Sequence, residues 1–225
     1  MPARSETGRM AVRDRYADVC RFVESKRPLI VDGGAHRGET VERFLRLFDS
    51  PEIHAFEPIP ELGEHLLRRY GANSAVTVHA CALGAKDATV TFNVARNLVS
   101  SSVLQPSGIC NQYHGKDTDV VQTVSVPAVR LDQLFCDRDI DVLKLDLQGY
   151  ELEALKGASS ILQRVRVVVT EIEFVPIYDG QPLFGDVDYF LRAQGFQLFN
   201  LYDLYTQPDG QLTAGDALYV NGTIY

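Results

Sequence analysis

Leu29-Ile30-Val31-Asp32-Gly33-Gly34-Ala35-His36-Arg37-Gly38-Glu39-Thr40 is an apolar run that ends in an acid and passes through a glycine-rich turn. Val41, Phe44, Leu45 and Phe48 follow at i, i+3, i+4 and i+7, one face of a helix. The stretch therefore predicts strand, tight turn and helix, the unit that opens a nucleotide crevice at the carboxyl edge of a doubly wound α/β sheet. A dinucleotide fingerprint would need G-x-G-x-x-G, and Ala35 stands where its middle glycine belongs. The spacing present is D-x-G-x-x-x-G, on Asp32, Gly34 and Gly38. A carboxylate at the strand end suits the ammonium of S-adenosylmethionine better than a pyrophosphate. Asp32, Gly33, Gly34, His36 and Gly38 are accordingly candidate residues for that cofactor, and an NAD-dependent enzyme is the weaker alternative.

The next strand, Glu52 to Glu57, places a second acid about twenty residues beyond the turn, where a doubly wound fold holds ribose hydroxyls. Glu57 is the candidate ribose acceptor, and Pro58 stops the strand beside it. Leu62, Leu66, Leu67 and Tyr70 predict the following helix. Residues 75–83 predict a third strand whose end, with Ala82, lines the adenine side. Residues 88–94 alternate as a further strand, and the pair is expected to form a hairpin inserted into the βαβ order. From Arg96 to Thr123 periodicity fades, as in a functional loop. Ser100, Ser101, Ser102, Asn111, Tyr113 and His114 make that loop the candidate for substrate recognition.

The second chemical stretch is Ile140 to Glu151, a buried-type strand with Lys144 and Asp146 on one face and Leu143 and Leu145 on the other. Asp146, at the strand's carboxyl end, is a candidate base or a holder of the cofactor's methionine end. Lys144, two residues earlier, is a candidate partner for it or for an acceptor anion. The β-branched strand 164–174 carries Glu171 and Glu173 on one face. Glu171 is a second candidate base, and His114 a third from the loop. Gln148, Glu173 and Tyr178 complete the candidate acceptor side. Residues 196–202 and 217–221, with the turn at Pro208-Asp209-Gly210 between them, predict a closing antiparallel pair.

Composition restricts the class. The chain has 225 residues, a net charge of −8 and 45% hydrophobic residues, enough for one sizeable core. No basic field invites nucleic acid, and no apolar run reaches the length of a membrane span. Cys20, Cys81, Cys110 and Cys136 are scattered without a C-x-x-C pair, and the five histidines show no ligand spacing, so no metal is expected. With no signal-peptide core at the N-terminus, the expected compartment is cytoplasmic. Residues from about Arg9 to Lys26 have helical spacing. The expected organisation is a covering helix in 1–27 and a single domain in 28–225.

Taken together the segments resemble the FkbM family of S-adenosylmethionine-dependent methyltransferases. The resemblance rests on Val31 to Gly38, Ala55-Phe56-Glu57-Pro58, Ala82-Leu83-Gly84, Val129 to Asp132, Leu143 to Glu151 with Leu155 to Ala158, and Asp216 to Asn221. It implies a class I methyltransferase fold: a three-layer α/β sandwich on a mainly parallel seven-stranded sheet whose last strand is antiparallel. It also implies O-methylation of a sugar, glycan or other natural-product hydroxyl. Two positions depart from the family pattern: His36 stands for a common Asn, and Gln148 for the usual acid. The partner is then a small-molecule or glycan acceptor, with the oligomeric state, a homodimer included, left open. A catalytically silent binding module on the same fold is the non-enzyme alternative.

Overall fold

The computed structural model describes residues Asp14–Thr223. The chain runs through α1 (Arg15–Phe22), β1 (Leu29–Gly33), α2 (Glu39–Leu47), β2 (Glu52–Phe56), α3 (Pro60–Tyr70), β3 (Val76–His79), β4 (Ala82–Leu83), β5 (Ala88–Ala95), α4 (Cys110–His114) and β6 (Val120–Val129). It continues through α5 (Leu131–Leu134), β7 (Ile140–Leu145), α6 (Glu151–Lys156), β8 (Val165–Glu173), α7 (Phe184–Ala193), β9 (Phe196–Thr206) and β10 (Leu212–Asn221). Seven strands form one sheet in the order β3-β2-β1-β7-β8-β10-β9. β3, β2, β1, β7 and β8 are parallel neighbours, whereas β10 lies antiparallel between β8 and β9. This is the class I methyltransferase architecture, with the last strand antiparallel as expected.

Strand alternation sorts the core onto the two faces. Val31, Leu143, Leu145, Val168 and Ile172 pack on one face with Leu155 of α6 and Leu191 of α7. Ile30, Val142, Val167 and Val169 pack on the other with Val19 of α1, Phe44 of α2 and Leu66 of α3. The sandwich follows from that division. α1 belongs to this second core, so the covering helix is continuous with the domain. The part of that expected helix before Asp14, including Arg9 and Val12, lies outside the described residues.

Two expectations need correction. Residues 75–83 are not one strand: β3 stops at His79, the last partner of β2, and after a break at Ala80-Cys81 the short β4 joins another sheet. There is also no hairpin between 75–83 and 88–94. β5 pairs antiparallel with β6 across the intervening residues 96–119, and β4 pairs parallel with β6, giving a three-stranded sheet in the order β4-β6-β5. Phe92, Val94, Val126 and Ala128 of that sheet pack on Ile59 and Leu62. This buried face outweighs the local turn at Gly84-Ala85-Lys86-Asp87, and the segment 96–119 spans the distance between β5 and β6. β6 begins at Val120, four residues earlier than its sequence pattern suggests.

No helix among the described residues is long and apolar enough to cross a membrane.

Candidate active site

The carboxyl ends of β1, β2, β7 and β8 open into one cavity of about 920 Å³, roofed by the 96–119 segment. That volume lies in the range of small-molecule sites.

The first wall is the turn after β1. Gly34 sits at φ +73°, His36 at +49° and Gly38 at +87°, left-handed positions where glycine costs least and His is among the better tolerated alternatives. Gly34 has a second reason to lack a side chain: a Cβ there would stand 2.0 Å from the carbonyl oxygen of Asp146. The amides of Gly34 and Ala35 both donate to the carbonyl of Phe56, tying the turn to β2. Glu57 accepts from the amides of His36 and Ile59, each at 2.8 Å. Burial pushes its carboxyl up to about 7, against the pull of those two amides. The carboxylate is thus held rigidly, with lone pairs left for a ligand. His36 Nε2 is buried without a protein partner in the cavity wall.

The second wall is laid down by strand parity. Asp32, Lys144, Asp146, Glu171 and Glu173 all project toward the face covered by α1 and α2. Asp32 and Lys144 are register neighbours across β1 and β7, and their charges lie 3.0 Å apart. The Lys144 ammonium also donates to the carbonyls of Gly33 (3.1 Å) and Gly34 (2.9 Å). Burial opposes its charge, but Asp32 and then Asp146 outweigh that and raise its pKa.

These contacts revise several expectations. Asp32 is fully buried below the cavity floor and does not line it; its charge is spent on Lys144, leaving none for a cofactor ammonium. Lys144 reaches the floor, but its donors are taken by Asp32 and two carbonyls, so it anchors the turn and offers an acceptor nothing. Its nearer carboxylate is Asp32; Asp146 lies at 3.9 Å. Gly33 and Gly38 also lie behind the lining. Gly38 packs under the Tyr70 ring and caps α2, while Gly34, Ala35 and His36 line the cavity.

At the ends of β7 and β8 a polar network centres on Gln148. Its Nε2 donates to Asp146 Oδ1 (3.1 Å) and Glu171 Oε2 (2.7 Å), bridging two carboxylates. The Tyr178 hydroxyl donates to the Ser100 carbonyl at 2.9 Å and lies 3.1 Å from Gln148 Oε1. Ser102 Oγ donates to the Gln148 carbonyl at 2.7 Å, stitching the 96–119 segment to this turn. An acid at position 148 would replace both donors with acceptors and set three carboxylates side by side. The amide therefore holds Asp146 and Glu171 together here. Burial, then repulsion from Asp146, Glu151 and Glu173, raises the Glu171 pKa well above the usual range. Burial with Glu151 and Asp146 nearby takes Glu173 up to about 8.

The cavity also brings in Pro58, Ala82, Tyr113 and His114, and burial lowers the His114 pKa. Asn111 and Ser102 do not line it. Arg15 of α1 was not singled out from the sequence, yet it lines the cavity and pairs with Asp203 (2.8 Å) and with Asp216. Only the charge of the amphipathic stretch hinted at it, because its partners lie almost 190 residues away or more.

Among the described residues no group of three or more His, Cys, Asp or Glu side chains is arranged to hold a metal ion. All four cysteines are free thiols.

The buried acids make stability depend on pH with an inverted sign. Glu57 at about 7, Glu173 at about 8 and Asp216 at about 6 keep protons in the folded state that the unfolded chain has already lost. Their contribution is full below the ordinary carboxylate pKa and lost as pH rises through the folded values. The ligand-free protein is expected to melt at a lower temperature at pH 8.5 than at pH 5.5 in a calorimetric scan. A melting temperature that is flat or rises over that interval contradicts these protonation states.

The chain is similar to known methyltransferases. Residues 32–198 match the model of the methyltransferase FkbM domain. The 2-O-methyltransferase NoeI of Sinorhizobium fredii (strain NBRC 101917 / NGR234) is 24% identical over 177 residues, covering 74% of this chain and 72% of that protein. Methyltransferase sdnD of Sordaria araneosa is 29% identical over 214 residues, covering 83% and 81%. The crystal structure of methyltransferase FkbM from Methylobacillus flagellatus KT superposes with a TM-score of 0.57 at 21% identity. That match takes in 87% of this chain but 44% of the other, so the chain spans less than half of that structure's length. The chain belongs to the FkbM family of methyltransferases, enzymes whose methyl donor is S-adenosylmethionine.

Proposed function

We propose that this protein transfers the methyl group of S-adenosylmethionine to a hydroxyl of a small acceptor, a sugar, glycan or other natural-product alcohol. One observation carries the reading: the glycine turn with Glu57 and the Asp146–Gln148–Glu171 network open into the same cavity. The first is suited to a nucleoside, the second to an alcohol and its proton. The 2-O specificity in the name of NoeI favours oxygen as the acceptor atom.

The donor supplies an electrophilic methyl on a positively charged sulfur. The orphaned His36 Nε2 and the held carboxylate of Glu57 fit its adenosine, with Glu57 accepting from the ribose hydroxyls. Pro58 and Ala82 line the same cavity and would lie beside the base. Holding oxygen, methyl carbon and sulfur in line is the larger part of the catalysis. With the donor bound, the C–O bond would form as the C–S bond breaks to leave a neutral thioether, and the alcohol proton would have to go to a base. Asp146 fits that duty better than Glu171 or His114. Its side chain is 44% exposed, so the proton can pass to water, and Gln148 fixes one oxygen while the other, 3.9 Å from the Lys144 ammonium, is held less closely. Glu171 is half-buried and favours its protonated form, and burial keeps the His114 ring on the roof a weaker base.

Calorimetric titration with S-adenosylmethionine and, separately, with NAD tests the donor half. Only the methyl donor is expected to bind, and Glu57→Ala is expected to weaken it by about tenfold or more, the loss of charge-assisted hydrogen bonds. Since Glu57 titrates near 7 and must be ionised to accept from both hydroxyls, wild-type affinity is expected to rise by about tenfold from pH 6 to pH 8. NAD binding in place of the methyl donor would overturn the reading. Mass spectrometric detection of a methyl ether on one of a panel of alcohols tests the acceptor half.

A further inference from the structure

The acidic and basic groups that line the cavity are unequal in number. Glu57, Asp146, Glu171 and Glu173 stand along its floor and Glu39 and Asp117 at its edges, against two cations, Arg15 and Lys144. Both cations are neutralised from outside the lining, Lys144 by Asp32 and Arg15 by Asp203 and Asp216. Burial lowers the pKa of His36 and of His114, so neither adds positive charge near neutrality.

Most of these acids have partners of their own. Glu57 accepts from two amides and Glu171 from Gln148. Glu151, behind the floor, accepts from the amide of Leu147. Glu173 differs. It is 7% exposed, it lines the cavity, and its Oε2 is buried with no hydrogen-bond donor. Gln181 is its nearest polar neighbour and draws its pKa down, yet the Gln181 amide nitrogen is also without a partner. One amide can in any case serve only part of a carboxylate's lone pairs. A buried carboxyl without donors costs stability unless something else supplies them.

Position assigns that something to the acceptor. β8 is separated from β1 by β7, two strand spacings or roughly 10 Å from the glycine turn. Glu173 lies a further two residues along β8 from Glu171, beside Thr213 and Ala214 of β10, which also line the cavity. A nucleoside seated on Glu57 and His36 leaves this corner open.

We propose that the acceptor is a cationic alcohol, one that carries a protonated amine near the hydroxyl to be methylated, and that Glu173, with Glu171 beside it, receives that ammonium. This rests on the methyl-transfer reading and narrows it to amine-bearing acceptors such as amino sugars. An ammonium brings three donors to a carboxyl whose buried Oε2 has none, and its charge takes the place of the protons these acids hold. The groups facing Glu173 are Glu151 from α6, Asp146 from the end of β7, Glu171 on its own strand and Gln181 from the turn that follows. A cation arriving among them draws protons off the acids, so binding near neutral pH releases protons.

The test is calorimetric titration of protein saturated with S-adenosylhomocysteine, using methyl glucosaminide, its N-acetyl derivative and methyl glucoside as probes. The free amine is expected to bind at least about tenfold more tightly than either neutral sugar, with proton release seen as a heat that depends on the buffer. In Glu173→Gln, which keeps the size and removes the charge, the preference is expected to shrink to about twofold. Glu173→Asp is expected to retain it. Unchanged affinity for S-adenosylhomocysteine shows that each variant is folded. Equal binding of the three sugars, no binding of any of them, or a preference that survives in Glu173→Gln overturns the proposal and leaves the methyl-donor reading standing. Failure of the wild type to bind S-adenosylhomocysteine overturns both.

Discussion

Lys144→Met is expected to destabilise the protein by about 3–5 kcal/mol, the usual cost of removing one partner of a buried ion pair. The ammonium serves three acceptors at once, Asp32 and the carbonyls of Gly33 and Gly34. Methionine keeps most of the length and apolar body but leaves Asp32 and the Gly34 carbonyl without a donor, the Gly33 carbonyl keeping only the Asp146 amide. Asp32 is fully enclosed, so it must either stay charged in an apolar surround or take up a proton. For a domain of this size the melting temperature should fall by about 6–20 °C. The double variant Lys144→Met/Asp32→Asn should regain part of the loss, because the uncompensated charge is then gone. That recovery separates the ion pair from simple packing. Donor binding should weaken in the single variant as well, since the Gly34 carbonyl fixes the turn that faces the nucleoside. A loss below about 1 kcal/mol would mean that water or a backbone shift replaces the ammonium.

The Lys144 contacts also show what could be read in advance. The strand, turn and helix of 29–48 were legible because each step is local: apolar run, glycines where φ turns positive, then a helical period. Glu57 was legible because βαβ geometry places the second strand's end beside the first. The acids of β7 and β8 followed from alternation along single strands. The pairing of Asp32 with Lys144 did not. The two are 112 positions apart, Asp146 is a nearer carboxylate in sequence, and only the β1–β7 register decides between them. The same limit explains β5, whose partner β6 lies beyond a long irregular segment while a turn-like sequence invites the wrong neighbour. Arg15 had no signal beyond its charge. Gln148 was visible as a departure from the family pattern, but its effect depends on two carboxylates whose positions come from different strands.

Asp146→Asn is expected to lower kcat by about 10²–10⁴-fold, the usual contribution of a positioned base. The change is nearly isosteric, and the Asn carbonyl oxygen can still accept from Gln148 Nε2, so the network and the fold should persist. What is lost is a site for the alcohol proton as the C–O bond forms. With only solvent to receive that proton, the residual rate should become proportional to hydroxide concentration, whereas the wild type should not show that dependence. Donor affinity measured directly should change only a few fold. The split between kinetic constants makes the assignment testable. If the donor KM rises while kcat is unchanged, Asp146 holds the methionine end of the donor and takes no part in proton transfer. In that case Glu171→Gln should carry the loss of kcat, because Gln148 places Glu171 2.7 Å from the same amide. Should both variants keep full kcat, the in-line geometry alone would account for the rate, and the acids of β7 and β8 would serve to hold the acceptor.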